Sequence, residues 1–391
     1  MVKEVRIQNY KSVQDLTLEL GRVNILIGAN GCGKSNILEA IAFGSAAAED
    51  KLGKEFLSAR GIRVTEPAWM KSGFYRTINQ PINIDFNIAG EITEIEINNV
   101  NSFFSGWSSK VKDKFTASAK ELMESLMNDP IHKEILSKIK SGEIKIDEEK
   151  TKTVLEDSAT RMKPLLSLLY QDISNFLIYA PENTFLRKFE EESQIEPLGI
   201  RGEGLFKLLS VMSHETPEEF HEIIENLELI DWFEGFEIPK DLVFTERRIR
   251  IKDRFLEEGL QYFDQRSANE GFLFLMFYFA LFISKYTPKF FAIDNIDTSL
   301  NPKLCSELIK ILSKLAKKHD KQVIFTTHNP AVLDGLNLND DEQRLLVVSR
   351  NKDGHTKTKR VLPIATPEGE IPVRLSEQFM RGYIGGLPKN F

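Results

Sequence analysis

Residues 23–44 of this 391-residue chain read VNILIGANGCGKSNILEAIAFG, and this stretch decides the fold. The apolar run 23–27 is typical of a buried strand, and apolar residues recur at helical spacing after residue 35. The loop between them, residues 28–35, is a complete GxxxxGKS motif. Its glycines let the loop curl so that backbone N–H groups face phosphate oxygens, and the following helix adds its positive N-terminal end. The stretch therefore predicts a strand–loop–helix unit that binds a nucleotide phosphate.

Individual residues of this loop have separate predicted roles. In such a motif Lys34 reaches the β- and γ-phosphates, and the Ser35 hydroxyl is a ligand of Mg²⁺. The residues that we expect to bind the nucleotide here are Gly28, Asn30, Gly31, Cys32, Gly33, Lys34, Ser35 and Asn36.

Two further apolar runs end in polar residues. FFAID at 290–294 ends in Asp294, and VIFTTH at 323–328 ends in His328. A carboxylate in the first of these positions can hold Mg²⁺ through water. Because the carboxyl ends of parallel strands meet at one edge of a sheet, where ligands bind, we expect Ser35, Asp294 and His328 to lie together.

Strand and helix patterns interleave along the chain, which predicts an α/β fold whose mixed sheet has a parallel core and an antiparallel edge. The predicted strands cover 2–8, 16–27, an antiparallel hairpin at 81–98, 175–183, 242–251, 289–294 and 322–328; the predicted helices cover 201–230, 271–283 and 302–318. The stretch from about 108 to 172 is rich in Lys, Glu, Ser and Leu, and it predicts a helical insertion.

Charge and composition exclude several classes of protein. Lys and Arg total 51 against 58 Asp and Glu, so the net charge of −7 argues against binding of DNA or anionic lipid through global charge. The longest apolar run, 271–283, is shorter than the ~20 residues of a membrane-spanning helix. Two cysteines make no disulfide framework, and the N-terminus has no apolar core typical of a secretory signal. We therefore expect a soluble cytoplasmic protein without membrane partners.

The order of these motifs resembles a known family. A P-loop, a strand ending in Asp, a TSLNP turn at 298–302 and a strand ending in TTH are similar to the ABC-type ATPase head of the SMC/RecF group, and more narrowly to the ATPase domains of the OLD family and their antiphage relatives. The opening IQNYKS at 7–12 is similar to the family's NF(R/K)S sequence. The resemblance covers two parts of an ATPase head, at 1–100 and 175–335. It does not explain the helical insertion at 101–174, which we expect to be a dimer or partner arm rather than a DNA contact, or the C-terminal extension at 336–391.

The resemblance also implies cofactors and residue roles. It implies ATP and Mg²⁺ as ligands, Asp294 as the Walker B carboxylate that holds the metal with Ser35, and His328 as the switch histidine that contacts the γ-phosphate. It places Lys11 among the nucleotide-binding residues and residues 298–301 in the D-loop, which packs across a dimer interface.

The family's signature sequence caps the ATP of a partner subunit, which implies a homodimer or larger homo-oligomer. Residues 267–271 occupy this position. Aligned on Gly271, Asn269 replaces the usual serine; alternatively Ser267 performs that role in a shifted loop. Glu182 or Asn183 stands in for the glutamine that usually ends the strand at 175–183.

One departure from the family bears on catalysis. Asn295 stands where the family usually has the glutamate that deprotonates the attacking water. A carboxamide can orient a water but cannot act as a general base. Asp297, two residues further on, is the alternative source of a carboxylate. We therefore expect slow hydrolysis, or ATP held in a long-lived closed dimer.

Three functions fit this sequence. The first, which we favour, is an ATP-gated dimer that regulates a separately encoded effector, a nuclease or toxin, in antiphage defence. The alternatives are a DNA-repair ATPase that clamps DNA ends and the nucleotide-binding subunit of a transporter. Only 63 residues follow His328 and they carry no set of ligands for two metals, so we expect no nuclease activity of its own. The basic side chains of 247–254 are either a nucleic-acid or partner contact or a solvated strand face.

Overall fold

The computed structural model describes residues 1–74, 80–99, 106–112, 171–189, 198–239, 247–257, 259–363 and 373–387. Most of the predicted helical insertion and the first residues of the predicted strand 242–251 lie outside these ranges. Within the described residues, no helix is long and apolar enough to cross a membrane.

The described elements are numbered in chain order. The strands are β1 (Val2–Tyr10), β2 (Val13–Glu19), β3 (Val23–Ile27), β4 (Ile82–Ile88), β5 (Glu91–Asn98), β6 (Ser108–Lys112), β7 (Ile178–Tyr179), β8 (Phe233–Glu237), β9 (Arg250–Asp253), β10 (Tyr262–Asp264), β11 (Phe290–Ile293), β12 (Gln322–Thr327), β13 (Gln343–Arg350) and β14 (Thr356–Val361). The helices are α1 (Lys34–Ala48), α2 (Lys54–Ala59), α3 (Pro67–Met70), α4 (Gln171–Ser174), α5 (Asn183–Arg187), α6 (Leu205–Glu215), α7 (Pro217–Leu227), α8 (Glu270–Ile283), α9 (Pro302–Lys318) and α10 (Leu375–Met380), with a 3₁₀ helix at Pro330–Gly335.

The central sheet has the strand order β14-β13-β3-β12-β11-β7. Its strands β13, β3, β12, β11 and β7 are mutually parallel, and β14 pairs antiparallel with β13 at one edge. The predicted mixed sheet with a parallel core and an antiparallel edge is confirmed. Both β3 and β12 are buried along their whole length, as expected for strands covered on two faces.

A second sheet, entirely antiparallel, has the order β2-β1-β4-β5-β6. The predicted hairpin at 81–98 is confirmed as β4 and β5. Its turn residues Ala89 and Gly90 both have positive φ, 53° and 93°, which is the backbone that two-residue hairpin turns require. Residues 108–112, predicted as the start of the helical insertion, instead form β6, because Lys110 and Lys112 face Glu96 and Glu94 across the ladder.

The prediction of one strand over 16–27 is wrong. The chain leaves the antiparallel sheet at Glu19 and enters the central sheet at Val23. The connection is closed by the Asn24 side chain, which accepts from Gly21 N at 2.8 Å and donates to Gly21 O at 3.0 Å. A stretch with one strand-like pattern therefore serves two sheets, which periodicity alone does not separate.

Other observed helix and strand boundaries differ from the predicted ones for local reasons. The predicted strand 175–183 reduces to the two residues of β7, because α5 begins at Asn183. The predicted helix 201–230 is two helices, since Pro217 has no N–H for an unbroken helix and starts α7. Of the predicted strand 242–251, the described part pairs only from Arg250, where β9 begins. The helix predicted over 302–318 is confirmed as α9, and that over 271–283 as α8.

Two hydrophobic clusters hold these layers together. One joins α1 to the antiparallel sheet and to one face of the central sheet. The other covers the opposite face of the central sheet with α6, α7, α8 and α9. Every residue of α8 from Phe272 to Ile283 is buried, so its run of phenylalanines is core. The layers fix the carboxyl edge of the central sheet at the N-terminus of α1.

Candidate nucleotide-binding site

The loop between β3 and α1 has a backbone that only glycine adopts without strain at two positions. Gly31 has φ 73° and Gly33 has φ 110°. At Gly28 the requirement is space, because an added Cβ would lie 2.1 Å from the carbonyl oxygen of Val348 on β13. The three glycines therefore allow the loop to curl closely over the end of the central sheet.

The ammonium of Lys34 lies inside this curl. Its side chain is buried, and its Nζ donates to Gly28 O at 2.7 Å and to Ala29 O at 3.4 Å. Burial lowers the pKa of Lys34, while the charges of Asp294 and Asp297 oppose that change. The loop carbonyls thus hold the Lys34 ammonium where phosphate oxygens would enter. A bound anion there would favour the charged form of Lys34, which burial disfavours.

Asp294 follows β11 and lies next to the start of α1. Its Oδ2 is 3.4 Å from Ser35 Oγ, and its Oδ1 accepts a hydrogen bond from the Thr326 hydroxyl of β12. Carboxylate and hydroxyl oxygens are the ligands that Mg²⁺ prefers. The donor set of Ser35 and Asp294 therefore fits the metal predicted for this position.

Asn295 and Asp297, the two candidates for activating the attacking water, are both hydrogen-bonded to β12. Asn295 is exposed and has φ 56°, and its backbone N–H donates to Thr326 Oγ1 at 2.9 Å. The Asp297 carboxylate accepts from Thr327 Oγ1 at 2.6 Å. Consecutive threonines of one strand thus orient both the turn after Asp294 and the Asp297 carboxylate.

His328 follows Thr327 at the end of β12 and is open to solvent. Partial burial of the ring first, and the charge of Lys34 second, lower the pKa of His328, against the attraction of Asp297 and Asp294. The lowered pKa favours the neutral imidazole, in which one nitrogen is able to donate. The structure brings Lys34, Ser35, Asp294 and His328 to one edge of the central sheet.

The predicted signature residues contact the D-loop. Asn269 caps α8 by accepting from Phe272 N at 2.8 Å. Glu270 accepts from Ser299 Oγ at 2.6 Å, and a Cβ on Gly271 would lie 3.2 Å from Ser299 O. The two segments that the resemblance assigns to a dimer interface are therefore adjacent within one chain. Ser267 donates its N–H to Asp264 O at 3.0 Å, in the turn before the helix.

Lys11 forms an ion pair with Glu39 of α1, a carboxylate that the sequence analysis did not identify. Glu39 is buried and binds the Lys11 ammonium, while Arg63 Nε donates to its other oxygen at 2.5 Å. The charge of Asp294 raises the pKa of Arg63, after the larger effect of Glu39. Glu39 follows Ser35 by one helical turn, which is the signal that could have identified it.

The remaining loop residues face different surroundings. Asn30 is exposed at the tip of the loop, whereas Cys32 is buried with its Sγ 4.0 Å from Lys34 Nζ. The amide of Asn36 donates to Ser12 Oγ at 2.7 Å. Cys32 is therefore buried within the loop, whereas Asn36, the residue after the motif, contacts Ser12 behind the loop.

The basic side chains of 247–254 lie on or next to β9, the middle strand of a three-stranded antiparallel sheet with the order β10-β9-β8. Several of them have partners on this sheet. Arg250 and Lys252 form ion pairs with Glu237 and Glu234 of β8, at 3.4 and 2.5 Å. Arg254 donates to the carbonyl of Phe233. These contacts favour the interpretation as a strand face with paired charges over a nucleic-acid contact.

Comparison with known proteins agrees with this arrangement. A family model described as "AAA domain, putative AbiEii toxin, Type IV TA system" matches residues 23–334. The DNA double-strand break repair Rad50 ATPase of Sulfolobus acidocaldarius is 44% identical over 45 residues, which are 11% of this chain and 5% of that protein. An uncharacterized protein of Methanocaldococcus jannaschii is 39% identical over 67 residues, 16% of this chain and 31% of that protein. The chain thus aligns with less than a third of either relative.

A solved structure has the same fold over most of the chain. The SMC head bound to the C-winged helix domain of ScpA superposes with a TM-score of 0.53 at 16% identity, covering 92% of this chain and 98% of that one. The predicted fold, an SMC/RecF-type ATPase head, is confirmed.

Proposed function

We propose that this chain, which belongs to the AAA domain family described as "putative AbiEii toxin, Type IV TA system", is an ATP-gated switch. It binds Mg-ATP, hydrolyses it slowly, closes into a homodimer around the nucleotide and regulates a separately encoded effector, a nuclease or toxin, in antiphage defence. The observation that carries the proposal is the convergence of Lys34, Ser35, Asp294 and His328 at one sheet edge, beside an Asn295 that has no carboxylate.

Phosphate binding follows from the loop. Lys34 exchanges its bond to Gly28 O for phosphate oxygens, and the N-terminus of α1 adds its positive end. A Mg²⁺ ion held beside Ser35 and Asp294 would neutralise phosphate charge. The neutral His328 donates a hydrogen bond towards the terminal phosphate from the neighbouring strand end.

Slow hydrolysis follows from the residues available to the attacking water. Asn295 orients the water without removing its proton. Asp297 is the alternative source of a base, because Thr327 holds its carboxylate and its charge acts on both Lys34 and His328. A base displaced by two residues from the usual position supports turnover that is low but not absent.

Dimer closure uses the adjacent signature and D-loop segments. The N-terminus of α8, capped by Asn269, is suited to face the phosphate of a partner's ATP, and Ser299 links it to the D-loop. Occupancy of the site by ATP thus controls the assembly, and the assembly controls the effector. The family description, which names a toxin–antitoxin system, supports the defence role.

Two measurements test this function: phosphate release and the molecular mass of the assembly in solution. The purified chain with Mg-ATP is followed for hours for phosphate release, and its mass is measured by light scattering with ATP and with ADP. We expect release above the Lys34→Ala blank, and a dimer with ATP that Lys34→Ala does not form. Equal ATP affinity of the two proteins would overturn the assignment of the loop.

The DNA-repair alternative has a separate signature. Strong, salt-sensitive DNA binding together with DNA-stimulated turnover would favour a repair ATPase over the switch. Co-purification of a nuclease or toxin with the ATP-bound dimer, and its absence from preparations of Lys34→Ala, would support the switch.

A further inference from the structure

Thr356, the first residue of β14, lies against the back of the phosphate-binding loop. It is fully buried, and its hydroxyl donates to Cys32 O at 3.0 Å. The same hydroxyl lies 2.7 Å from Ser12 Oγ, and the Thr356 backbone N–H donates to Ser12 O at 2.8 Å. Thr356 is outside residues 23–334, the span that the family model matches.

Proton counting gives these bonds one direction. The Asn36 amide nitrogen can only donate, so Nδ2–H donates a hydrogen bond to Ser12 Oγ at 2.7 Å. The single proton of Thr356 goes to the Cys32 carbonyl, so the Ser12 hydroxyl must donate to Thr356 Oγ1. The result is a directed chain from Asn36 on α1, through Ser12 and Thr356, to the carbonyl of Cys32.

The same hydroxyls also limit the space behind the loop. A Cβ built on Gly33 would lie 2.2 Å from Thr356 Oγ1 and 2.9 Å from Ser12 Oγ. Gly33 is therefore in contact with both groups, and its left-handed backbone leaves no side chain between them.

The carbonyl of Cys32 determines the direction of the next N–H. In a trans peptide the C=O of one residue and the N–H of the next point in opposite directions. Since the Cys32 carbonyl points back to Thr356, the Gly33 N–H points forward, away from β14. Among the hydrogen bonds of the described residues, none uses the Gly33 N–H as a donor.

We propose that Thr356 is a positioning residue that turns the Cys32–Gly33 peptide so that the Gly33 N–H faces the bound phosphate. The inference rests on the proposed nucleotide site and adds to it a residue near the C-terminal end of the chain. Ser12 acts in the same chain of bonds, which gives the NYKS opening a physical role: it orients the loop from behind. Such loops cradle the α- and β-phosphates with backbone N–H groups, so ADP and ATP depend on Thr356 alike.

A matched pair of variants tests the proposal. Thr356→Val keeps the shape of the side chain and removes the hydroxyl, whereas Thr356→Ser keeps the hydroxyl. We expect Thr356→Val to weaken the binding of both ATP and ADP at least about tenfold, the range for losing a hydrogen bond to a charged group. Thr356→Ser should bind both nucleotides within about threefold of the natural chain, because it keeps the hydroxyl that donates to Cys32 O. Loss of the buried methyl group should lower the stability of the fold rather than the nucleotide affinity.

Controls separate positioning from folding and from the proposed function. Urea unfolding of each variant establishes that binding is measured on folded protein, and Ser12→Ala provides a second break in the same chain. Combined with Thr356→Val, Ser12→Ala should add little further loss, because one broken link already frees the carbonyl. Folded Thr356→Val that binds like the natural chain, while Lys34→Ala does not bind, would overturn this inference alone. Failure of the natural chain to bind ATP would overturn the proposed function as well.

Discussion

Replacing Asn295 by glutamate tests the reasoning about water activation most directly. Asn295 follows Asp294 at the end of β11 and has φ 56°, and its N–H is fixed by Thr326 Oγ1 at 2.9 Å. Asn295→Glu places a carboxylate where the family usually has one, and the backbone anchor does not depend on the side chain. Asn295→Gln is the matched control, with the same length and no base.

Two effects of different size set the expected result. General-base catalysis contributes about 10²–10⁴-fold in rate, and the proposed base Asp297 would already supply part of this, so we expect Asn295→Glu to hydrolyse at least about tenfold faster than the natural chain. The left-handed backbone costs Glu and Gln about 1 kcal/mol more than Asn, which tolerates it. Both variants should therefore be less stable by the same small amount, and only one should be faster.

The assay is a single-turnover measurement with enzyme in excess over ATP, read by a fluorescent phosphate sensor, with Lys34→Ala as the blank. ATP affinity measured on the same preparations separates binding from chemistry, and urea unfolding gives the stability. If Asn295→Glu is no faster than Asn295→Gln, residue 295 does not face the attacking water. Equal acceleration of both variants would mean that the longer side chain, rather than the carboxylate, raises the rate.

Two further results are expected from other residues. Asp297→Asn should lower residual hydrolysis about tenfold or more, with unchanged ATP affinity, because Thr327 still holds the side chain while the base is lost; unchanged phosphate release would contradict this role. Lys321 is buried among the oxygens of Ser284, Thr287 and Pro288, and burial lowers its pKa to about 7. Between pH 7 and the ordinary pKa of lysine, Lys321 is protonated in the unfolded chain and largely neutral in the folded one. The free energy of unfolding, relative to that of Lys321→Met, should therefore rise by up to about 1 kcal/mol per pH unit. Urea unfolding from pH 7 to 9 measures this, and a difference that is flat or falls with pH would refute it.

Much of the architecture could be predicted because it is encoded locally. The apolar period of 302–318 and the Ala-Gly turn of the hairpin at 81–98 each depend on residues within a few positions of one another. The same local reasoning failed at 16–27, because two strands of different sheets were joined by only three residues. It failed also at 108–112, where pairing with β5 decided the structure.

The sequence by itself determined which residues can serve the site: a phosphate loop with its lysine and serine, and two strand ends with an aspartate and a histidine. Only the tertiary structure decided what stands behind them. Glu39 forms ion pairs with Lys11 and Arg63, and Thr356 is hydrogen-bonded to Ser12, which is 344 positions away along the chain. The physical reason is that periodicity reports the face on which a residue lies, whereas its contact across the core depends on how the two sheets pack around α1.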